Sequence, residues 1–400
     1  MLGGVDATPT YVENAAALVL DNSLTVTDVD DTNIESATVS ITAGLVAGDV
    51  LAADTTGTAI TASYLNGVLT LTGSDTLANF REVLQKVTFE STSEDPTNGG
   101  ANPTRTILWE INDGTSSNNP APLLTLNVNA VNDGPINIVP PSIAVIEDVA
   151  SAITGISFND ADSDLNPVLA TLSVPSGSLA ALGGGGVTVG GTSSNMTLTG
   201  TLADINTFIA GGNVTFTTAA NATTNVNLTV TLNDQGNTGI DPGLTGDGTS
   251  EQDTDVVTLA VTAVNDAPVN TVPGAQVVNE DTNLGITGLS IADADAGSGT
   301  LTTALSVGSG TLTVATVGGG AAVAGSGTNT VTLTGTLIQI NTTLAALGAV
   351  LYTGNADFNG ADTLTMTTND GGNTGVDPGL TPGPTSESPT LTRSASPSMR

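Results

Sequence analysis

The sequence predicts an all-β protein made of three β-sandwich domains in tandem, each with one short helix. Short runs rich in Val, Ile and Thr alternate apolar and polar residues, and turn-forming residues, among them 48 Gly and 18 Pro, separate them. A set of landmarks also recurs at a spacing that suits whole domains in tandem and is too long for solenoid units. Together these observations favour an elongated array of sandwiches.

The internal repeat defines the domains. Ala130-Val131-Asn132-Asp133 returns as Ala263-Val264-Asn265-Asp266, with Asp266 placed 133 positions after Asp133. A more divergent copy precedes them, in which Asn112-Asp113-Gly114 closes the unit. We therefore predict units at residues 1–131, 132–264 and 265–400. The third departs from the repeat in an aberrant tail from about residue 388, as an out-of-frame ending or a fragment would, and is expected to lack its last strand.

Each unit has one segment that departs from strand periodicity. Leu202, Ile205, Phe208 and Ile209 are spaced as on a helix, and Thr201 precedes them as an N-cap. Thr336 stands before Ile340, Leu344 and Leu347 in the same way, and Thr76 does so in the first unit. The sequence therefore predicts one short helix per sandwich.

Composition removes several classes of function. The 400 residues include 5 Lys and Arg against 39 Asp and Glu, a net charge of −34, with no His and no Cys. Without imidazole or thiol there is no Ser-His-Asp or Cys-His nucleophile system, zinc finger or disulfide. Five basic residues cannot neutralise a nucleic-acid backbone. Only 11% of residues are charged and 38% are hydrophobic, which argues against disorder.

The acids are clustered. Asp160, Asp162 and Asp164 alternate along the chain, as do Asp293 with Asp295 and Asp28 with Asp30. In an extended segment such carboxylates lie on one side and repel one another by roughly 1 kcal/mol per pair even in water. With so few Lys and Arg, the counter-charge must come from a cation in solution. All-oxygen ligands favour Ca²⁺, since Mg²⁺ demands a regular octahedron.

The ordered motifs resemble a known family. Asn265-Asp266-Ala267-Pro268, Val278-Asn279-Glu280-Asp281-Thr282, Ile291-Ala292-Asp293-Ala294-Asp295 and Asn369-Asp370-Gly371-Gly372 are similar to the cadherin-like tandem repeats of large bacterial surface adhesins. The resemblance covers nearly the whole chain. It implies immunoglobulin-like β-sandwiches with calcium between them, in a protein of the cell surface or medium that serves adhesion or biofilm formation.

By the same resemblance, calcium ligands come from the Asn-Asp linkers, the Glu-Asp pairs and the Asp-x-Asp pairs. The first unit has Asn14 in place of the second acid of its pair. The candidate ligands are Glu13, Asp28, Asp30, Asn132, Asp133, Glu147, Asp148, Asp160, Asp162, Asn265, Asp266, Glu280, Asp281, Asp293 and Asp295.

Simpler interpretations remain open at this point. Asn-Asp-x-Pro is a good turn by itself, and Asp-x-Asp pairs can be solvated loop acids. The near-identical segments Gly239–Leu244 and Gly375–Leu380 are either long hairpin loops or a second cation site.

The function expected from the sequence is structural and non-enzymatic: a calcium-stiffened extender segment of a bacterial surface or secreted adhesin. Its partners are neighbouring repeats of a larger adhesin and surface glycans or proteins, with no nucleic acid and no membrane insertion. A carbohydrate- or protein-binding sandwich is the alternative, although sugar platforms need aromatic faces and the chain has one Trp, three Tyr and six Phe. The expected location is extracellular, with no N-terminal signal peptide in this chain.

Overall fold

The computed structural model describes residues 2–163, 165–246, 248–279 and 282–372, and the backbone of 391–394. These residues form strands arranged in three similar groups, each with one short helix. The all-β prediction is therefore confirmed. Among the described residues, no helix has the length and apolar character needed to cross a bilayer.

The first unit contains eleven strands and helix α1. Six strands form the larger sheet in the order β2-β11-β10-β5-β8-β7, while β3-β9-β6 and β1-β4 form the others. The elements are β1 (Leu2–Gly3), β2 (Thr10–Val12), β3 (Leu18–Val19), β4 (Thr25–Val26), β5 (Asn33–Ala43), β6 (Asp49–Ala52), β7 (Thr61–Leu65), β8 (Val68–Thr76), α1 (Leu77–Leu84), β9 (Thr88–Ser91), β10 (Thr104–Asn112) and β11 (Leu123–Asn129).

The second unit repeats this topology. Its sheets are β13-β22-β21-β16-β19-β18, β14-β20-β17 and β12-β15. The elements are β12 (Ile136–Ile138), β13 (Ser142–Ile146), β14 (Ser151–Ala152), β15 (Ser157–Asn159), β16 (Pro167–Ser173), β17 (Ser178–Ala181), β18 (Thr188–Thr192), β19 (Asn195–Thr201), α2 (Leu202–Ala210), β20 (Val214–Thr217), β21 (Val226–Asn233) and β22 (Gln252–Thr262).

The third unit has sheets β28-β29-β26-β31-β32, β24-β30-β27 and β23-β25. The elements are β23 (Val269–Thr271), β24 (Asn283–Gly285), β25 (Ser290–Ala292), β26 (Leu301–Ser306), β27 (Gly310–Val314), β28 (Ala322–Ala324), β29 (Thr330–Gly335), α3 (Leu337–Ala345), β30 (Val350–Gly354), β31 (Ala361–Asn369) and β32 (Leu391–Ser394).

The end of the third unit differs from the sequence prediction. A last strand was expected to be missing, but β32 pairs antiparallel with β31, from Ala361 opposite Ser394 to Leu364 opposite Leu391. It occupies the place that β22 takes beside β21 and β11 beside β10. Ladder bonds come from the backbone, so a divergent sequence without Pro in those four positions can still pair there.

The helices begin where the sequence predicts. The hydroxyls of Thr76, Thr201 and Thr336 each accept a bond from the backbone N–H three residues on. Thr336 and Gln339 complete a capping box in α3. One expected helical residue lies elsewhere: Leu347 is 98% exposed, because α3 ends at Ala345 and Ala346 is extended.

Strand alternation supplies the apolar core of each unit. Buried residues run from Tyr11 to Val128 in the first core, from Ile143 to Leu259 in the second and from Ile286 to Met366 in the third. Strand β21 shows the pattern, since Val226, Leu228, Val230 and Leu232 are all buried and the Asn and Thr between them are not. The predicted boundaries near residues 131 and 264 fall between these cores.

Candidate metal centres at the domain junctions

The strand topology brings the linker and a loop Glu to the same end of the first unit. Strand β2 runs parallel to β11, with Val12 opposite Asn129. Glu13 therefore leaves the sheet beside the linker residues 130–133. Parallel pairing of β13 with β22 places Glu147 beside the linker 263–266 in the same manner.

The following unit supplies the Asp-x-Asp pair. Strand β12 follows the linker and pairs antiparallel with β15, with Ile136 opposite Asn159. The linker and the loop that begins at Asp160 consequently lie together. The third unit repeats this pairing, with Val269 opposite Ala292 just before Asp293.

Hydrogen bonds define the first junction. Glu13 Oε2 accepts from Val131 N–H at 2.8 Å, and Asp162 Oδ2 accepts from Asp133 N–H at 2.5 Å. Asn132 donates its side-chain N–H to Asp234 Oδ2 at 2.7 Å. The cluster therefore joins a Glu of the first unit, the linker and two acids of the second unit.

The second junction has the same bonds. Glu147 Oε2 accepts from Val264 N–H at 2.9 Å, and Asp295 Oδ2 accepts from Asp266 N–H at 3.1 Å. Asn265 donates its side-chain N–H to Asp370 Oδ2 at 2.9 Å. Because the same hydrogen bonds occur at both junctions, the network is a repeated feature of the chain.

Several buried side-chain oxygens in these networks have no hydrogen-bond partner. Glu13, Asn132 and Asp162 are 4%, 1% and 1% exposed, yet each keeps one such oxygen. Buried polar atoms are normally paired, so a set of unpaired oxygens at both junctions calls for an explanation. The unpaired atoms are Glu13 Oε1, Asn132 Oδ1, Asp133 Oδ2, Asp160 Oδ2 and Asp162 Oδ1 at the first junction, and Asn265 Oδ1, Asp266 Oδ2 and Asp293 Oδ2 at the second.

Burial and mutual repulsion raise the pKa values of these acids. Burial is the main cause for Glu13, with pKa about 7, and for Asp162, with pKa about 8; neighbouring carboxylates, including Asp133, add to it. Burial likewise raises the pKa of Asp160 and of Asp293 to about 6. Anions held this way are costly unless a positive charge is supplied.

Described Lys and Arg side chains do not supply that charge. Arg105 forms a fully buried ion pair with Asp49 inside the first unit, with Nε 2.6 Å from Oδ2. Lys86 pairs with Glu82 and Asp54 at the surface. No ion pair among the described residues reaches a junction carboxylate.

The donor set fits a hard divalent cation. Carboxylate oxygens of Glu13, Glu94 and Asp133 lie within 4.8 Å of one another, and so do those of Glu147, Asp148 and Asp266. Asn132 and Asn265 add amide oxygens, so every donor is oxygen. Such sets hold Ca²⁺ with six to eight ligands at irregular angles. These residues could therefore hold calcium at each junction.

Another acidic group lies at the end of the first unit that is opposite the first junction. Asp28, Asp30 and Asp31 lie within the same 4.8 Å limit, but Asp30 and Asp31 are exposed. Asp28 Oδ1 accepts from the backbone N–H groups of both at 3.2 Å. The loop resembles those at Asp160 and Asp293, without a linker against it in the described residues.

The structure brings most of the predicted ligands that it describes to the two junctions. Asp148 joins Glu147 at the second junction, and Asp160 and Asp293 cap their loops by accepting from the second and third N–H groups that follow. Glu280, Asp281 and Asp164 lie outside the described residues.

Sequence reasoning missed three site residues. Glu94 comes from a loop of the first unit between β9 and β10, so the repeat gives no signal for it. Asp234 and Asp370 belong to the repeated Asn-Asp landmarks, and their recurrence was the signal that could have identified them.

The described aromatic side chains do not form a surface platform. Tyr64 and Phe358 are half-buried, and the other eight are buried, including Trp109 at 0% exposure. A sugar-binding face of stacked aromatics is therefore not present on these units.

No protein-family model matches this chain, and no curated protein matches it. The solved EC1-3 fragment of protocadherin gamma C5 is 13% identical, with 98% of this chain and 100% of that one covered and a TM-score of 0.34. For human CDH23 EC21-23 the identity is 16%, the coverage 98% of each chain and the TM-score 0.35.

Drosophila N-cadherin EC1-4 is 17% identical, with 98% of this chain and 73% of that one covered and a TM-score of 0.25. All three are cadherin extracellular fragments. Whole-chain superposition is poor at these scores, so the assignment of the fold rests on this chain's own strand topology.

Proposed function

We propose that this chain is a structural, non-enzymatic segment of a bacterial cell-surface or secreted adhesin, in which calcium at the junctions stiffens consecutive β-sandwiches. The observation that carries the proposal is the set of buried, unpartnered side-chain oxygens at both junctions, with no described Lys or Arg beside them. Acidic surfaces with a net charge of −34 keep such a segment soluble.

The mechanism follows from which elements supply each ligand. Glu13 belongs to the first unit, Asn132 and Asp133 to the linker, and Asp160 and Asp162 to the second unit. One cation bound by all three parts removes their repulsion and restricts rotation about the linker. A row of such units becomes an extended spacer that presents a binding tip away from the cell for adhesion or biofilm attachment.

Small-angle scattering with calcium and with EGTA tests this proposal. We expect a larger maximum dimension with calcium, because free hinges shorten the average end-to-end distance. The Asp162→Asn, Asp295→Asn double variant should give the EGTA profile even in calcium. Glu110→Gln, which changes an exposed acid on β10, is the matched control and should behave as wild type. Identical wild-type profiles in both buffers would rule out stiffening.

A further inference from the structure

A loop of the second unit crosses the linker that leads into that unit. It connects β21 to β22, and its first part, residues 236–246, is called the strap below. Ile240 forms a parallel β-bridge with Val131 outside the named strands. The linker is therefore held by a loop located about a hundred residues further along the chain.

Two backbone hydrogen bonds make this contact. Ile240 N–H donates to Ala130 C=O at 2.9 Å, and Asn132 N–H donates to Ile240 C=O at 3.0 Å. The bonded groups are uncharged and belong to the main chain, so their pairing does not require the junction carboxylates to be neutralised.

Glycine permits this close approach. Gly239 has φ +111, and a Cβ there would lie 2.6 Å from Asn132 N and from Val131 C. Gly243, in the same strap, has φ +71 and no atom within 4 Å of such a Cβ. The positive φ at both positions disfavours residues that have a Cβ, but only Gly239 is packed against the linker.

The strap and the cation cluster hold different atoms of one residue. Asn132 bonds to the strap through its backbone N–H, whereas its side chain bonds to Asp234 and keeps its Oδ1 in the junction cluster. A cleft of about 400 Å³ lies beside this contact and is lined by Asn14, Asp133, Pro242, Leu244 and Glu251.

We propose that the strap is a metal-independent clasp, which fixes the path of the linker at Ala130–Asn132 whether or not a cation is bound. Chelation would then free rotation between the units without releasing the linker from the second unit. The similar segment Gly375–Leu380 lies outside the described residues.

Amide-resolved hydrogen exchange of the full chain in EGTA tests the clasp. We expect the amides of Asn132 and Ile240 to be protected in the wild-type protein without calcium. Gly239→Ala should speed their exchange by about tenfold or more, as expected for loss of these hydrogen bonds. Gly243→Ala is the control, because Gly243 also has a positive φ but no atom near its Cβ position, and it should leave both amides protected.

Unprotected amides in the wild-type chelated protein would overturn the proposal, and so would equal exchange in the two glycine variants. The wild-type result stands alone if Gly239→Ala fails to fold. The clasp and the proposed function can fail separately. Protected amides together with an absent calcium effect in scattering would remove the stiffening but keep the clasp.

Discussion

Asn132 and Asp234 are joined by a 2.7 Å hydrogen bond between two side chains that are each 1% exposed. An ionised Asp side chain accepts hydrogen bonds and cannot donate them. The bond therefore requires the NH₂ end of the Asn132 amide to face Asp234. The amide oxygen is thereby turned away from Asp234 and remains without a partner. Asn265 and Asp370 repeat the relationship at 2.9 Å. Asp234 and Asp370 thus fix the orientation of the Asn132 and Asn265 amides.

Removing that support should weaken calcium binding at one junction only. Asp234→Asn places an amide opposite the Asn132 N–H and also disturbs the bonds that Asp234 accepts from Gly236 and Glu251. We expect calcium affinity at the first junction to fall by about 10–100-fold, as for other residues that orient metal ligands. Isothermal titration calorimetry measures this.

Asp370→Asn is the matched control, because it should produce the same loss at the second junction and leave the first unchanged. Full affinity at the first junction in Asp234→Asn would show that Asn132 is not a ligand held by this bond.

Stability without metal should fall as the pH rises. Burial raises the pKa values of Asp160 and Asp293 to about 6, Glu13 to about 7 and Asp162 to about 8, while unfolded carboxyls titrate near 4. Between these limits the folded state binds more protons than the unfolded state, so the free energy of unfolding decreases with rising pH.

The stabilisation that proton binding by these four acids gives the folded state is complete below about pH 4 and lost by about pH 8. In EGTA, differential scanning calorimetry should give a lower melting temperature at pH 8 than at pH 5.5. Saturating calcium should remove this trend, because the metal binds the deprotonated forms. A melting temperature in EGTA that rises over this range would contradict the assigned burial of the cluster.

Glu94 should compensate for Asn14 at the first junction. Asn14 and Asp148 occupy equivalent positions and share a left-handed backbone, with φ 59 and φ 55. Asp148 supplies the acid at the second junction, while Glu94 supplies it at the first. We expect Glu94→Gln to lower calcium affinity at the first junction, and Asn14→Asp to restore it in the double variant. A Glu94→Gln protein with wild-type affinity would exclude Glu94 as a ligand.

The buried ion pair of Arg105 should hold the loop that carries Glu94. Arg105 Nη2 donates to Pro96 C=O at 2.6 Å and Nη1 to Asn102 C=O at 2.7 Å, while both Asp49 oxygens also bind it. Arg105→Met leaves Asp49 buried without its partner, which costs roughly 3–5 kcal/mol. Urea unfolding should show this loss in the first unit.

The Arg105→Met, Asp49→Leu double variant separates charge from packing. It should recover much of the lost stability, because no unpaired charge stays buried. Calcium affinity at the first junction should be reduced in both variants, since each removes the Arg105 hydrogen bonds to Pro96 and Asn102.

The sequence predicts much of this fold because its signals are local. Alternation in Val226–Leu232 and the cap at Thr201 depend on neighbours a few residues away, and both appear as expected. The repeat then extends each local prediction to the corresponding segments of all three units. Strand β32 was missed because pairing by the backbone needs no recognisable side-chain pattern.

The site was less predictable because it is assembled from distant segments. Glu94 is placed by Arg105 and a loop that occurs once, and Asp234 acts through a partner 102 residues away. The Glu94 loop leaves no repeated pattern in the sequence, and the recurrence of Asp234 as Asp370 does not show which side chain either acid contacts. The other ligand candidates were predictable only because the same residues recur in the same order in successive units.

A calcium titration followed by thermal unfolding tests the central claim most directly. Wild type, the Asp162→Asn, Asp295→Asn variant and the Glu110→Gln control would be compared from EGTA to calcium at about 100 times the dissociation constant. A cation bound only by the folded junctions adds about 2.7 kcal/mol per site at that concentration, which raises the melting temperature on the order of 10 °C. We expect this rise in wild type and in Glu110→Gln, and little or none in the junction variant. A melting temperature that does not move with calcium, or that moves equally in all three proteins, would contradict cation sites at the junctions.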